Sequence, residues 1–142
     1  MNVKQILGSK GSEVVFVAPG CKVSEVSKVF GERRIGAVPV MDKGRLVGIV
    51  SERDVVRGLA IRGAAVLDDA VDTLMTRSVA TCTGEATLNE LMEMMTERRI
   101  RHVPVVEDGK LIGIVSVGDV VKERLQETQQ EADALKEYIA TA

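Results

Sequence analysis

ERRIGAVPVMDKGRLVGIVSERDVV, residues Glu32 to Val56, returns as ERRIRHVPVVEDGKLIGIVSVGDVV, residues Glu97 to Val121, at a constant offset of 65. Carried back to Cys21 and Ala86, the two copies align without a gap over 36 positions, 17 of them identical. The identities include Pro39/Pro104, Gly44/Gly109, Gly48/Gly113, Ser51/Ser116 and Asp54/Asp119. A repeat of this kind marks one supersecondary unit packed on its own copy.

Within each copy the pattern predicts two strands joined by a tight turn: Ala37 to Met41 and Leu46 to Val50 around Asp42-Lys43-Gly44, then Val103 to Val106 and Leu111 to Val115 around Glu107-Asp108-Gly109. The glycine supplies the positive φ that a short hairpin needs. Pro39 and Pro104 have no N–H, so each belongs where its strand lacks a ladder partner on that side. Val14 to Val17 and Val79 to Thr81, rich in β-branched residues, predict a first strand in each half. Between that strand and the hairpin lies a helix. In the second copy Thr87 and Glu90 have capping-box spacing, followed by the stripe Leu88, Leu91, Met92 and Met95. Lys22 stands where Thr87 stands, which predicts a weaker start for the first copy's helix. The methionines Met92, Met94 and Met95 are read as core filler.

Val3, Ile6 and Leu7 match Val71, Leu74 and Met75 at an offset of 68, a short amphipathic turn before each copy. The polar segment Gly8 to Glu13 lacks the Walker spacing and is read as a flexible turn. Val55 to Ala70 contains a helix and a connector with Gly58 and Gly63. Residues 121–142 contain no Gly or Pro, and Val121, Leu125, Thr128, Ala132, Leu135 and Ile139 follow alternating steps of four and three, a heptad seam. That tail is expected to lie on its own domain or on a partner. The expected division is 1–63, 64–123 and 124–142.

The 142 residues are 45% hydrophobic and 28% charged with only 2% aromatic, so the core must be aliphatic. A formal charge of −2 without a basic block argues against nucleic acid or an anionic membrane as the partner. No segment has the length of a membrane span, no signal peptide is evident, and a cytoplasmic location is expected. Cys21 and Cys82 do not align in the repeat and are read as small buried residues. His102 is the only histidine, and no nucleophile, acid–base pair or metal-ligand cluster can be assembled around it.

Each copy ends in Gly-Ile-Val-Ser-x-x-Asp. One reading is a Ser N-cap with an acid at N3, although Glu or Gln is the usual third residue of a capping box. The other is a ligand site: free N–H groups at a helix start for a phosphate, the Ser hydroxyl beside it, and a carboxylate for the two hydroxyls of a ribose.

At these residues the chain resembles the cystathionine-β-synthase (CBS) domain family as a tandem pair over residues 3 to 123, through ERRI-x-x-VPV, turn and G-I-V-S-x-x-D in both halves. The resemblance implies an α/β fold of two β-α-β-β-α repeats about a pseudo-twofold axis. It further implies clefts for adenosine-containing ligands such as AMP, ADP, ATP, NAD or S-adenosylmethionine. In that family Asp54 and Asp119 would hold ribose, and Ser51 and Ser116 would lie near phosphate. Ile35, Val38, Pro39, Ile100, Val103 and Pro104, with Val14 and Val79, would line the adenine pocket. Arg101 and His102 occupy positions that often reach phosphate, whereas the first copy has Gly36 and Ala37 there and only Arg53 to compensate. The expectation is a stand-alone, non-enzymatic regulatory homodimer acting on an unidentified protein. A nucleotide-modifying enzyme and a purely structural dimerisation module are the alternatives.

Overall fold

The structure, a computed structural model, describes residues 1–10 and 14–141, the side chains of Ser9 and Lys10 excepted. In chain order the elements are α1 (Val3–Lys10), α2 (Val23–Arg33), β1 (Ala37–Asp42), β2 (Arg45–Ser51), α3 (Glu52–Arg62), 3₁₀ turns at Gly63–Asp68 and Val71–Thr73, α4 (Leu88–Arg98), β3 (His102–Glu107), β4 (Lys110–Ser116) and α5 (Val117–Thr141).

The hairpins form as the repeat predicts. β1 pairs antiparallel with β2 and β3 with β4. Lys43 and Gly44 have φ of 51° and 77°, and Asp108 and Gly109 have 50° and 76°. Two consecutive positive φ values make a turn whose twist matches the strands, so the residue before each glycine shares the work expected of the glycine alone. Each hairpin also carries a register shift, between Val40 and Met41 and between Val105 and Val106, a duplicated bulge.

The expected first strands do not form as such: the first reduces to one bridge residue, Val17 beside Val40, and in the second copy Val79 to Thr81 is unpaired in any strand, with the matching bridge one residue later at Cys82 beside Val105. Val17 N–H donates to Pro39 O (3.1 Å) and Met41 N–H to Val17 O (2.9 Å), with Cys82, Pro104 and Val106 repeating the pattern at 3.1 and 2.8 Å. The next donor along this parallel ladder would be residue 39 or 104. Proline has no N–H to give, so the pairing ends after one bridge.

Thr87 Oγ1 accepts from Glu90 N–H at 3.1 Å, whereas Lys22 makes no side-chain cap, as the repeat comparison predicts. Met95 is buried and Met94 packs on the core, but Met92 is 37% exposed and corrects the reading of all three as core. Cys82 is buried in the core and Cys21 half-buried, and both thiols are free. The segment read as a turn from Gly8 is helical through Lys10, because α1 starts on a capping pair in which Asn2 and Gln5 exchange bonds of 2.9 and 3.0 Å. Gly11, Ser12 and Glu13 lie outside the described residues.

The packing crosses the sequence division. Val3, Ile6 and Leu7 of α1 are buried with Leu88, Leu91, Met95, Val103, Val105, Val115 and Val120 of the second copy. Val71 and Met75 are buried with Val23, Val26, Phe30, Val38, Val40 and Val50 of the first. Matching backbone bonds tie each exchanged segment down: Val3 N–H to Ala86 O at 2.9 Å and Val71 N–H to Cys21 O at 2.8 Å. An eight-residue helix has no stability alone, so its apolar face must be completed by a core. Reciprocal exchange completes both cores and relates the halves by a pseudo-twofold axis, with β2 lying against β4.

One helix runs unbroken from Val117 to Thr141; it rests on its own domain only as far as Glu127, and residues 128–141 are exposed throughout.

Candidate functional site

Ser51 closes β2 in an extended conformation and α3 begins at the next residue. Its Oγ accepts the Asp54 N–H at 3.3 Å, while Asp54 Oδ2 accepts from Ser51 N–H at 2.8 Å and from Ser51 Oγ–H at 3.0 Å. Ser116 and Asp119 repeat this with bonds of 2.8, 3.0 and 3.2 Å. An aspartate therefore does close the capping box. Its shorter side chain reaches because Ser51 Oγ and N–H share one carboxylate oxygen.

The cap changes what the helix start can offer. Glu52 N–H donates to Gly36 O at 3.0 Å and Val117 N–H to Arg101 O at 2.8 Å. With the Asp54 N–H taken by Ser51, the donors at the first and third positions of α3 are already used. Side chains are therefore the larger source of donors for an anion there.

Those side chains are abundant. A cleft of about 760 Å³ opens between the halves and brings Ser51, Arg53 and Asp54 of the first copy together with Val79, Ile100, Arg101, His102 and Ser116 of the second. Asp54, not Asp119, thus shares a cleft with Arg101 and His102. Arg57, Arg98 and Arg99 also line it, giving five arginines against Glu52 and Asp54. The first copy holds Arg33, Arg34 and Gly36 where the second has Arg98, Arg99 and Arg101, and Gly118 and Lys122 match Arg53 and Arg57. The counterpart positions are less basic.

Val14, Ile35, Val38, Pro39, Val103, Pro104 and Asp119 do not line this cleft. Val38 and Val103 are fully buried, one in each core, and correct the expectation that they face a ligand. Their side chains alternate inward along the strand and complete the hydrophobic packing there. Ile100, two residues before β3, supplies the apolar wall instead. Gly36 has a packing reason: a Cβ there would lie 3.3 Å from His102 Cε1 and 3.5 Å from Nε2. The imidazole uses the space that the other copy leaves by lacking a side chain, so the two copies differ here in a complementary way.

Arg57, Arg98 and Arg99 were not singled out in the sequence. Arg57 follows Asp54 by three residues, on the same helix face, and Arg98-Arg99 is the duplicated Arg-Arg pair that precedes Ile100. Arg99 caps α4 at φ 54° and Arg34 caps α2 at φ 53°, left-handed positions uncommon for a side chain of this size. Among the described residues no group of three or more His, Cys, Asp or Glu is placed to hold a metal ion. The arrangement offers an apolar wall, a carboxylate acceptor and a concentration of guanidinium groups, a combination suited to a base, a diol and phosphates.

A model of the CBS domain family matches residues 3–61 and 71–126. A mitochondrial CBS domain-containing protein of Arabidopsis thaliana, CBSX3, is 32% identical over 96% of this chain and 71% of its own length. The crystal structure of a CBS-domain containing protein from Agrobacterium tumefaciens superposes with a TM-score of 0.85 at 46% identity, covering 87% of this chain and 99% of that one. The CBS domain pair of protein MJ0100, solved with 5-methylthioadenosine and S-adenosyl-L-methionine, superposes with a TM-score of 0.80 at 26% identity over 89% of this chain and 98% of its own.

Proposed function

The chain belongs to the CBS domain family, with two copies of the domain, and on that premise we propose that it is a regulatory module that binds an adenine nucleotide between its halves. The single observation that carries this is the composition of the cleft: one aspartate from the first copy faces Ile100, Arg101 and His102 of the second among five arginines. The adenine packs on the apolar wall of Val79 and Ile100, Asp54 accepts from the ribose hydroxyls, and the arginines neutralise phosphate. The ligands of the MJ0100 pair share the adenosine but carry no phosphate, and S-adenosylmethionine adds a positive sulfonium. A cleft with three more arginines than acids favours AMP, ADP, ATP or NAD instead.

Signalling follows from where the ligand's partners come from. A nucleotide held by Asp54 on one copy and Arg101 on the other stabilises one arrangement of the halves over others by its differential affinity. The protein acts in the cytoplasm as a homodimer on a separate regulated protein, without turning its ligand over. Among the described residues no helix is long and apolar enough to cross a membrane.

Calorimetric titration of AMP, ATP, NAD, adenosine and S-adenosylmethionine tests the reading. Asp54→Ala should weaken the nucleotides about 10- to 150-fold, the scale of a hydrogen bond to a charged group of about 1.5–3 kcal/mol. Arg101→Ala should weaken ATP more than adenosine. Absence of binding by every adenosyl ligand refutes the proposal, and nucleotide turnover refutes its non-enzymatic part.

A further inference from the structure

The distal part of α5 is a helix without a floor. The face of α5 that meets the body is Val117, Val120, Glu123, Arg124 and Glu127: Val120 and Glu123 are buried, Arg124 bonds Asn89 on α4, and Glu127 pairs with the N-terminal amine at 3.6 Å. One residue on, about 100° around the helix, runs the heptad seam. Val121 is 52% exposed, Leu125 64%, Leu135 59% and Ile139 65%, and Thr128 and Ala132 between them are exposed too. At its body end this seam runs into an apolar groove of about 280 Å³ whose lining includes Val121, Leu125, Met92 and Met95. Met92, the methionine left out of the core, is therefore continuous with the tail.

From this continuity and from the charges flanking the seam we infer that the α5 tails of two copies pair in parallel as a short two-stranded coiled coil. The inference rests on the homodimer reading above and specifies where and in which orientation the copies meet. Steps of four and three place Leu125, Ala132 and Ile139 at a and Val121, Thr128 and Leu135 at d. The last layers, Leu at d and β-branched Ile at a, are those that suit a parallel pair. In that arrangement a g residue meets the e residue of the partner's next heptad, so Glu131 faces Lys136 on both sides of the axis, and Arg124 faces the neutral Gln129. In the antiparallel arrangement that overlaps the whole seam, g meets g and e meets e. Glu131 would then face its own copy and Lys122 would face Lys136, with like charges at both contacts. The charge pattern selects parallel. The coil from Val121 to Ile139 is about 27 Å long, and its twofold axis brings the two Met92 grooves to the same end.

Sedimentation equilibrium of the full chain tests this together with cross-linking. Wild type should weigh as a dimer, and Leu135→Asp with Ile139→Asp should dissociate it while leaving the unfolding transition of the body in place, because residues 128–141 are exposed throughout. Glu131→Lys should weaken association about tenfold, and adding Lys136→Glu should restore it. In a Cys21→Ser background, Leu135→Cys should cross-link to itself. Preferential linking of Leu125→Cys with Leu135→Cys chains would show antiparallel pairing and overturn the inference. A dimer unaffected by the double Asp variant also overturns it while leaving the homodimer reading standing. A monomeric wild type at tens of micromolar removes both.

Discussion

Replacing Gly113 by alanine tests the exchange of α1 between halves, because the contact it creates joins residues more than a hundred positions apart. A Cβ at Gly113 would sit 2.6 Å from Leu7 Cδ2 and 3.0 Å from Cδ1. Carbon contacts settle near 3.5–4.0 Å, so the shortfall is about 1 Å. Leu7 is only 6% exposed and packs against the second core, so it has little room to withdraw. Overpacking of this kind costs about 1–3 kcal/mol, offset by about 0.5–1 kcal/mol from replacing glycine in a strand, for a net loss near 1–2 kcal/mol. Leu7→Ala alone empties a buried site and should cost about 2–5 kcal/mol. In the double variant the new methyl enters the space that the leucine leaves, so the two costs should fall short of their sum by about 1–3 kcal/mol. Urea unfolding of the four proteins, with m-values checked for equality, measures this coupling. Additivity within about 0.5 kcal/mol would refute the packing of α1 on β4.

Asp54→Ala should also lower stability by about 1 kcal/mol through loss of the capping box, whereas Asp54→Asn keeps an acceptor for Ser51 and should retain most of it while still weakening a ribose contact. Equal stability of both variants with wild type in urea would mean the box contributes nothing. In the same copy, Lys22→Ser places a cap at an exposed, extended position that now has none and should gain about 0.5–1 kcal/mol, while Thr87→Ala in the second copy should lose about 1 kcal/mol; thermal unfolding reads both. Burial pushes the Cys82 thiol from 9.0 up to about 11. Its neutral form is thus favoured in the folded state, so stability should be unaffected below about pH 9 and decline as pH rises through about 11, because the unfolded thiol loses its proton first. Unfolding measured against a Cys82→Ala control checks the sign, and an unchanged difference between pH 8 and 11 would contradict it.

The hairpins were legible because their determinants are local: a glycine after an acidic or basic residue, alternating valines, and a serine at the strand end all act within a few positions. The unequal helix starts at Lys22 and Thr87 were legible for the same reason. The first strands were overestimated because β-branched content signals an extended chain and says nothing about whether a neighbour has an N–H to share. That depended on Pro39 and Pro104 lying opposite them.

The cleft divides in the same way. Ser51, Asp54, Ser116 and Asp119 stood out by repetition, and Arg101 by its contrast with Gly36. Their grouping did not, because a pseudo-twofold axis decides which aspartate meets which arginine, and sequence spacing is the same for either choice. By itself the sequence determined two copies of one unit, their hairpins and caps, and a tail with a heptad seam, since each follows from side chains interacting along a single element. Only the tertiary structure decided that α1 completes the second core, that the first N–H of α3 is bonded to Gly36 O, and that Asp54 belongs with five arginines. Those outcomes depend on contacts between segments far apart in the chain, where burial of apolar surface selects the partner and no local pattern records it.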